Sequence, residues 1–83
     1  MPLTLTRHAR SMLAERGISE AWVERVVADP EATERDRIDS KLEHCLRRIP
    51  EKENRVLRVV TDRSDSPPRV VTAYFDRGAK VGS

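Results

Sequence analysis

The sequence predicts an α+β domain in which two N-terminal antiparallel helices pack on a three- to four-stranded antiparallel sheet. Three observations carry this. Apolar residues recur at helical spacing twice before Pro30. Two later segments, Arg55–Asp62 and Arg69–Asp76, are rich in Val, Leu, Thr and aromatic residues and are separated by turn formers. The change from one pattern to the other happens once, at Glu31, so helices and strands are segregated along the chain.

Ala9, Met12 and Leu13 fall at i, i+3 and i+4, giving one apolar face to a helix from Arg7 to about Arg16. Thr6 stands where an N-cap is wanted. Gly17 stands at the position after the C-cap, where a left-handed backbone suits glycine, and Ile18 follows it, placed to pack back on Leu13. Ser19 caps a second helix, across which Ile18 and Val23 form a hydrophobic staple. Trp22 occupies the third helical position, so there is no reciprocal capping box. Trp22, Val23, Val26 and Val27 share one face of this helix and Glu20 and Glu24 the other, and Asp29-Pro30 stops it. "EATERDRIDS", Glu31 to Ser40, reads as an edge strand or a loop. "KLEHCLRRI", Lys41 to Ile49, reads as a strand with two mixed faces, and "PEKEN" and "RSDSPP" read as turns, with Pro67-Pro68 at the entry to the last strand.

At 83 residues the chain is expected to form one domain, residues 1–83, of modest stability. With 37% hydrophobic and 36% charged residues it is polar for a globular protein but not of disordered composition. No apolar run approaches the ~18 residues of a membrane span, and no secretory signal opens the chain. The single cysteine, Cys45, has no internal disulfide partner, so a cytoplasmic protein is expected. The net charge of +2 is uneven: residues 1–40 hold six Arg against eight acidic residues, and residues 41–83 hold ten Lys or Arg against six. Thirteen of the sixteen basic residues are Arg, whose planar fork suits a phosphate ligand, although a GC-rich genome produces the same bias.

A sheet covered by helices on one side leaves its other face open to a ligand. In the 55–62 strand Leu57, Val59 and Thr61 share one face, and Val56, Arg58 and Val60 the other. An unpartnered arginine is costly to bury, so Arg58 is assigned to the helix-free face. In the last strand Val71, Ala73 and Phe75 form the inward set, leaving Val70, Thr72 and Tyr74 outward. Parity does not orient Lys41–Ile49, so either Arg47 or Arg48, and His44, can join the outward group. Such a cluster can hold a phosphate and cleave RNA without a metal: histidine or tyrosine moves a proton while arginine neutralises the phosphorane formed by attack of the ribose 2′-hydroxyl.

Plainer roles exist for each residue. Tyr74 and Thr72 are ordinary strand residues, and Arg58 can simply pair with an acid across strands. His44 beside Cys45, with His8 as the other histidine, is too sparse for a metal site, and Cys45 has no base near it in sequence. No glycine-rich phosphate loop is present, and no cofactor is expected. His8 lies off the Ala9/Met12/Leu13 face and is either a proton carrier or a tie between helix and sheet.

The run "HARSMLAERGISEAWVERVVADPE", with "VLRVVTDR" and "RVVTAYFDR", resembles small bacterial proteins with an "HA…ERGIS" start that are grouped with the RelE-like and BrnT-like toxins. BrnT-type toxins carry a similar "KHGVS" helix turn and a similar "RVL…V…RIISAR" strand pair. The resemblance covers about residues 6–31 and 55–77. It implies a compact α+β fold with a four-stranded antiparallel sheet and the role of an mRNA-cleaving toxin neutralised by an antitoxin. His8 and Ala9 match the "HA", Arg16–Ser19 the helix turn, and Arg58, Thr72 and Tyr74 the late strands. Many RelE-like toxins add a catalytic tyrosine or histidine after the last strand, whereas here only "RGAKVGS" follows Asp76, a tail expected to fray.

The expectation is therefore a toxin-type endoribonuclease acting on RNA, with ribosome-bound mRNA as one form of that substrate. His8, Arg58 and Tyr74 are its catalytic candidates, and Arg47, Arg48, Thr72 and His44 its substrate-binding candidates. An antitoxin is the expected protein partner. The alternative is a non-catalytic protein- or RNA-binding module that uses the open sheet or an edge strand.

Overall fold

The computed structural model describes residues 3–79 and 81. Two helices, α1 (Arg7–Glu15) and α2 (Glu20–Ala28), precede four strands, β1 (Ala32–Arg35), β2 (Leu42–Ile49), β3 (Arg55–Asp62) and β4 (Arg69–Phe75). The strands form one antiparallel sheet in the order β1-β2-β3-β4, an α+β meander. The strand count is four, because "ATER" pairs with β2 as the edge strand.

The helix ends follow from the sequence. Thr6 Oγ1 accepts the Ala9 N–H at 3.0 Å, and Ser19 Oγ accepts the Ala21 N–H at 3.1 Å. At the end of α1, Ile18 N–H reaches Leu13 O at 2.9 Å and Gly17 N–H reaches Ala14 O at 3.2 Å, the two bonds of a Schellman motif. Gly17 has φ +67°, and a Cβ there would meet nothing within 4 Å, so the glycine is required by its backbone angle alone.

α1 packs on β4, and α2 packs on β2 and β3. Leu13, Ile18, Val23 and Val26 close over Cys45, Ile49, Leu57, Val59, Val70 and Ala73 to form the core. Val70 corrects the expected strand parity. Simple alternation points it outward, yet it is buried in the helix-side core, because Val60 pairs with Thr72 while Thr61 pairs with Val70. Val71 is the extra residue of a β-bulge, so side chains before it alternate in the opposite sense from those after it.

The far face of the sheet is also apolar beneath its surface. Leu46, Val56 and Val60 are buried there, although no helix covers them. The β4 edge is closed by the chain itself: Thr4 N–H donates to Pro68 O at 2.9 Å, Val70 N–H donates to Thr4 O at 3.0 Å, and Arg16 Nη1 donates to Ala73 O at 2.7 Å. The tail expected to fray falls partly outside the described residues; within them, Gly78 N–H is held by Asp76 Oδ1. Among the described residues no helix is long and apolar enough to cross a membrane.

Candidate functional site

The register puts Leu46, Arg58 and Tyr74 in one row across β2, β3 and β4, with Glu34, His44, Val60 and Thr72 in the next row. These side chains lie opposite Leu57 and Val59, so they occupy the helix-free face, as Arg58 was expected to do. Asp76 continues this face past β4, its N–H bonded to Val56 O at 2.9 Å.

Arg58 is the centre of the cluster and only 12% exposed. Its Nε donates to Asp76 Oδ2 at 2.9 Å, and its Nη1 donates both to Glu34 Oε1 at 3.0 Å and to His44 Nδ1 at 2.9 Å. A guanidinium has no lone pair to give, so His44 Nδ1 must be the acceptor. His44 Nε2 then carries the hydrogen and donates it to Asp36 Oδ1 at 2.8 Å. Both ring nitrogens are therefore engaged, one with Arg58 and one with Asp36. Nη2 of Arg58 has no hydrogen-bond partner among the described residues. Among the described residues no buried side-chain nitrogen or oxygen lacks one, so Nη2 is not sealed from solvent.

The electrostatics match the geometry. Burial pulls the Arg58 guanidinium down, but its hydrogen bonds to Glu34 and Asp76 outweigh this and leave its pKa raised. The Arg58 hydrogen bond holds the Asp76 carboxyl below its ordinary range. Asp36 is held low first by the Asp39 backbone N–H and then by His44. A depression of about 270 Å³ opens beside the cluster, lined by Glu34, Arg35, Asp36, Arg37, Ile38, His44 and Arg58.

Of the residues singled out from the sequence, Arg58, Tyr74, Thr72, His44 and Arg48 share this face. Tyr74 is 39% exposed, directly opposite Arg58. Thr72 Oγ1 accepts from Arg16 Nη1 at 3.2 Å. Arg48, toward the end of β2, is paired with Glu31 at 2.9 Å. The structure does not bring in the other two. Arg47 pairs in register with Leu57 on the helix side and donates to Asp29 O at 2.9 Å. His8 is exposed in the first turn of α1, in the layer on the opposite side of the sheet. Cys45 is buried in the core, and burial pushes its thiol up to about 11, which makes it a packing residue rather than a nucleophile.

Sequence reasoning missed the three carboxylates that define the site, Glu34, Asp36 and Asp76. A signal was present for each. Glu34 in the edge strand and Asp36 just past its end are two residues apart, and Asp76 has the parity of Tyr74.

Residues 5–75 match the family model described as "Domain of unknown function (DUF4258)". No curated protein and no solved structure matches the chain. The family match takes in both helices and all four strands, and the protein belongs to the DUF4258 family.

Proposed function

We propose that this protein is a RelE/BrnT-like, toxin-type endoribonuclease whose site is the helix-free face around Arg58 and Tyr74. One observation carries the reading: a guanidinium held by Asp76, Glu34 and His44 keeps Nη2 free of these partners, on a face where Tyr74 is the cross-strand neighbour of Arg58. A preorganised donor of this kind suits the charge that develops on a phosphorane. In the reaction the ribose 2′-oxygen bonds to phosphorus and loses its proton to a base. The bond to the 5′-oxygen breaks, that oxygen takes up a proton, and the products are a 2′,3′-cyclic phosphate and a 5′-hydroxyl. Tyr74 supplies proton transfer, Arg58 binds the phosphate, Asp76, Glu34 and His44 hold Arg58, and Arg48 binds a flanking phosphate by exchanging Glu31 for it. An antitoxin would act by covering this face.

The test is induced expression in bacteria with mapping of mRNA ends, for the parent and for Arg58→Ala and Tyr74→Phe. Growth arrest with discrete new ends, reduced on the order of 100-fold in both variants while their folds persist, is the expected result. Intact messages at good expression refute it. A second reading has its own support. Glu34 and Asp76 together offset the charge of Arg58, which weakens its pull on a polyanion and favours a non-catalytic binding module.

A further inference from the structure

Ile38 is 98% exposed, far more than Tyr74, the other large exposed hydrophobic residue among the described residues. It stands in the β1–β2 turn between Arg37 and Asp39, where the fold does not need it. Asp36 Oδ2 accepts the N–H of Ile38 at 3.1 Å and of Asp39 at 2.9 Å, and Asp39 Oδ1 accepts the N–H of Lys41 at 3.0 Å. Asp36 N–H donates to Leu42 O at 3.1 Å, and Leu42 N–H donates to Asp39 O at 3.0 Å. The turn is thus set by hydrogen bonds alone, and its one apolar side chain is held out in water beside the Arg58 depression. The other oxygen of Asp36 holds His44, which holds Arg58. A single carboxylate therefore fixes the position of Ile38 relative to Arg58.

We infer that this depression takes one nucleotide of a single-stranded RNA, its phosphate on Arg58 Nη2 and its base against Ile38 and Arg37, so that the turn determines base preference. The inference rests on the RNA reading above. At about 270 Å³ the depression fits one small ligand rather than a protein segment. Its two facing carboxylates are occupied, Glu34 by Arg58 and Asp36 by His44 and the turn, whereas Arg35 and Arg37 on its rim have no carboxylate partner among the described residues. An apolar side chain next to a guanidinium plane offers a base one face to lie on and one group to stack against. A protein-binding hot spot would instead cluster several large side chains, and Ile38 stands alone.

The experiment is an NMR titration of the whole chain with each of the four nucleoside 3′-monophosphates, and with inorganic phosphate as the reference. The Arg58 Nε–H and the Ile38 methyl signals should move together. At least one nucleotide should bind fivefold or more tighter than phosphate, and Ile38→Ser should remove that margin while leaving phosphate binding intact. Ile38 packs on nothing, so this variant is expected to melt with the parent. Movement of Arg58 without Ile38, or an unchanged margin in Ile38→Ser, overturns the base contact and leaves the RNA reading standing. No movement of Arg58 with any nucleotide overturns both. Movement of Ile38 alone on adding an acidic peptide assigns the turn to a protein partner and likewise overturns the inference.

Discussion

Replacing Arg58 by alanine should destabilise the fold measurably, apart from any loss of activity. The substitution strips the cation from Asp76 and Glu34 and leaves His44 Nδ1 without its donor. It also uncovers Leu46, which lies opposite Arg58 in the sheet and is buried although no helix covers it. The Glu34 pair sits near the surface limit of about 0–1 kcal/mol, because Glu34 is largely exposed. The bond to the better shielded Asp76 and the lost packing of the arginine stem bring the total to about 2–3 kcal/mol. In a domain of this length that corresponds to a fall in Tm of roughly 10–20 °C, read by circular dichroism at neutral pH. Arg58→Lys keeps the charge but not the fork and should lose roughly half as much. An Ala variant that melts within about 2 °C of the parent refutes the reasoning: the cluster would then hold nothing together, and Leu46 would be shielded by something else.

Three further outcomes are expected. Gly17→Ala meets no steric obstacle and isolates the left-handed backbone penalty, about 1 kcal/mol or some 4–8 °C in Tm, and Gly17→Asn should lose less. The bulge at Val71 predicts unequal neighbours: Val70→Ala costs about 2 kcal/mol in a urea melt, while Val71→Ala stays within about 0.5 kcal/mol, and equal losses would remove the bulge. Glu51 is held at about 2 by its hydrogen bonds with Arg25. A lowered folded-state pKa contributes stability that is present above the ordinary carboxylate value and lost as pH falls through the folded one. The Tm advantage of the parent over Glu51→Gln should therefore fade between about pH 5 and 2, and shrink in high salt at neutral pH.

The helical third of the fold was readable almost to the residue because its signals are local. Thr6, Gly17 and Ser19 act within one turn of where they stand, and Pro30 stops α2 without reference to anything distant. The strand faces were less readable, since parity propagates every irregularity. One extra residue at Val71 reversed Val70, and no feature of "RVVTAYF" marks the bulge. The mixed faces of β2 could not be oriented from the sequence because each side holds both apolar and charged residues. The register orients them: Cys45 and Ile49 belong to the core, Leu46 to the far face, Arg48 outward and Arg47 toward α2. Arg58 was placed by one argument that survives in altered form. It lies on the helix-free face, but largely buried and paired, because long-range partners at Glu34 and Asp76 make that burial tolerable. Those partners are distant in sequence, so pattern alone could not join them.

The far face explains why structure and candidate chemistry coincide in the same side chains. A meander of four strands with only two short helices can cover one side of its sheet, yet this sheet buries Leu46, Val56 and Val60 on the other. Something must shield them, and Arg58, His44, Arg48, Tyr74 and the carboxylates that fix the cations stand on that face. Charged groups can lie over apolar strands only when their hydrogen bonds are satisfied laterally, which the Asp36–His44–Arg58–Asp76 chain accomplishes. A guanidinium held laterally at Nε and Nη1 follows from that structural need, whether or not the face evolved for RNA. Loss of cleavage in Arg58→Ala alone therefore cannot separate a catalytic arginine from a structural one. Tyr74→Phe can, because an exposed hydroxyl with no protein partner among the described residues contributes little to stability. A Tyr74→Phe chain that melts with the parent and no longer cuts RNA places chemistry on this face. One that melts with the parent and cuts as well as it does would leave the cluster as a roof.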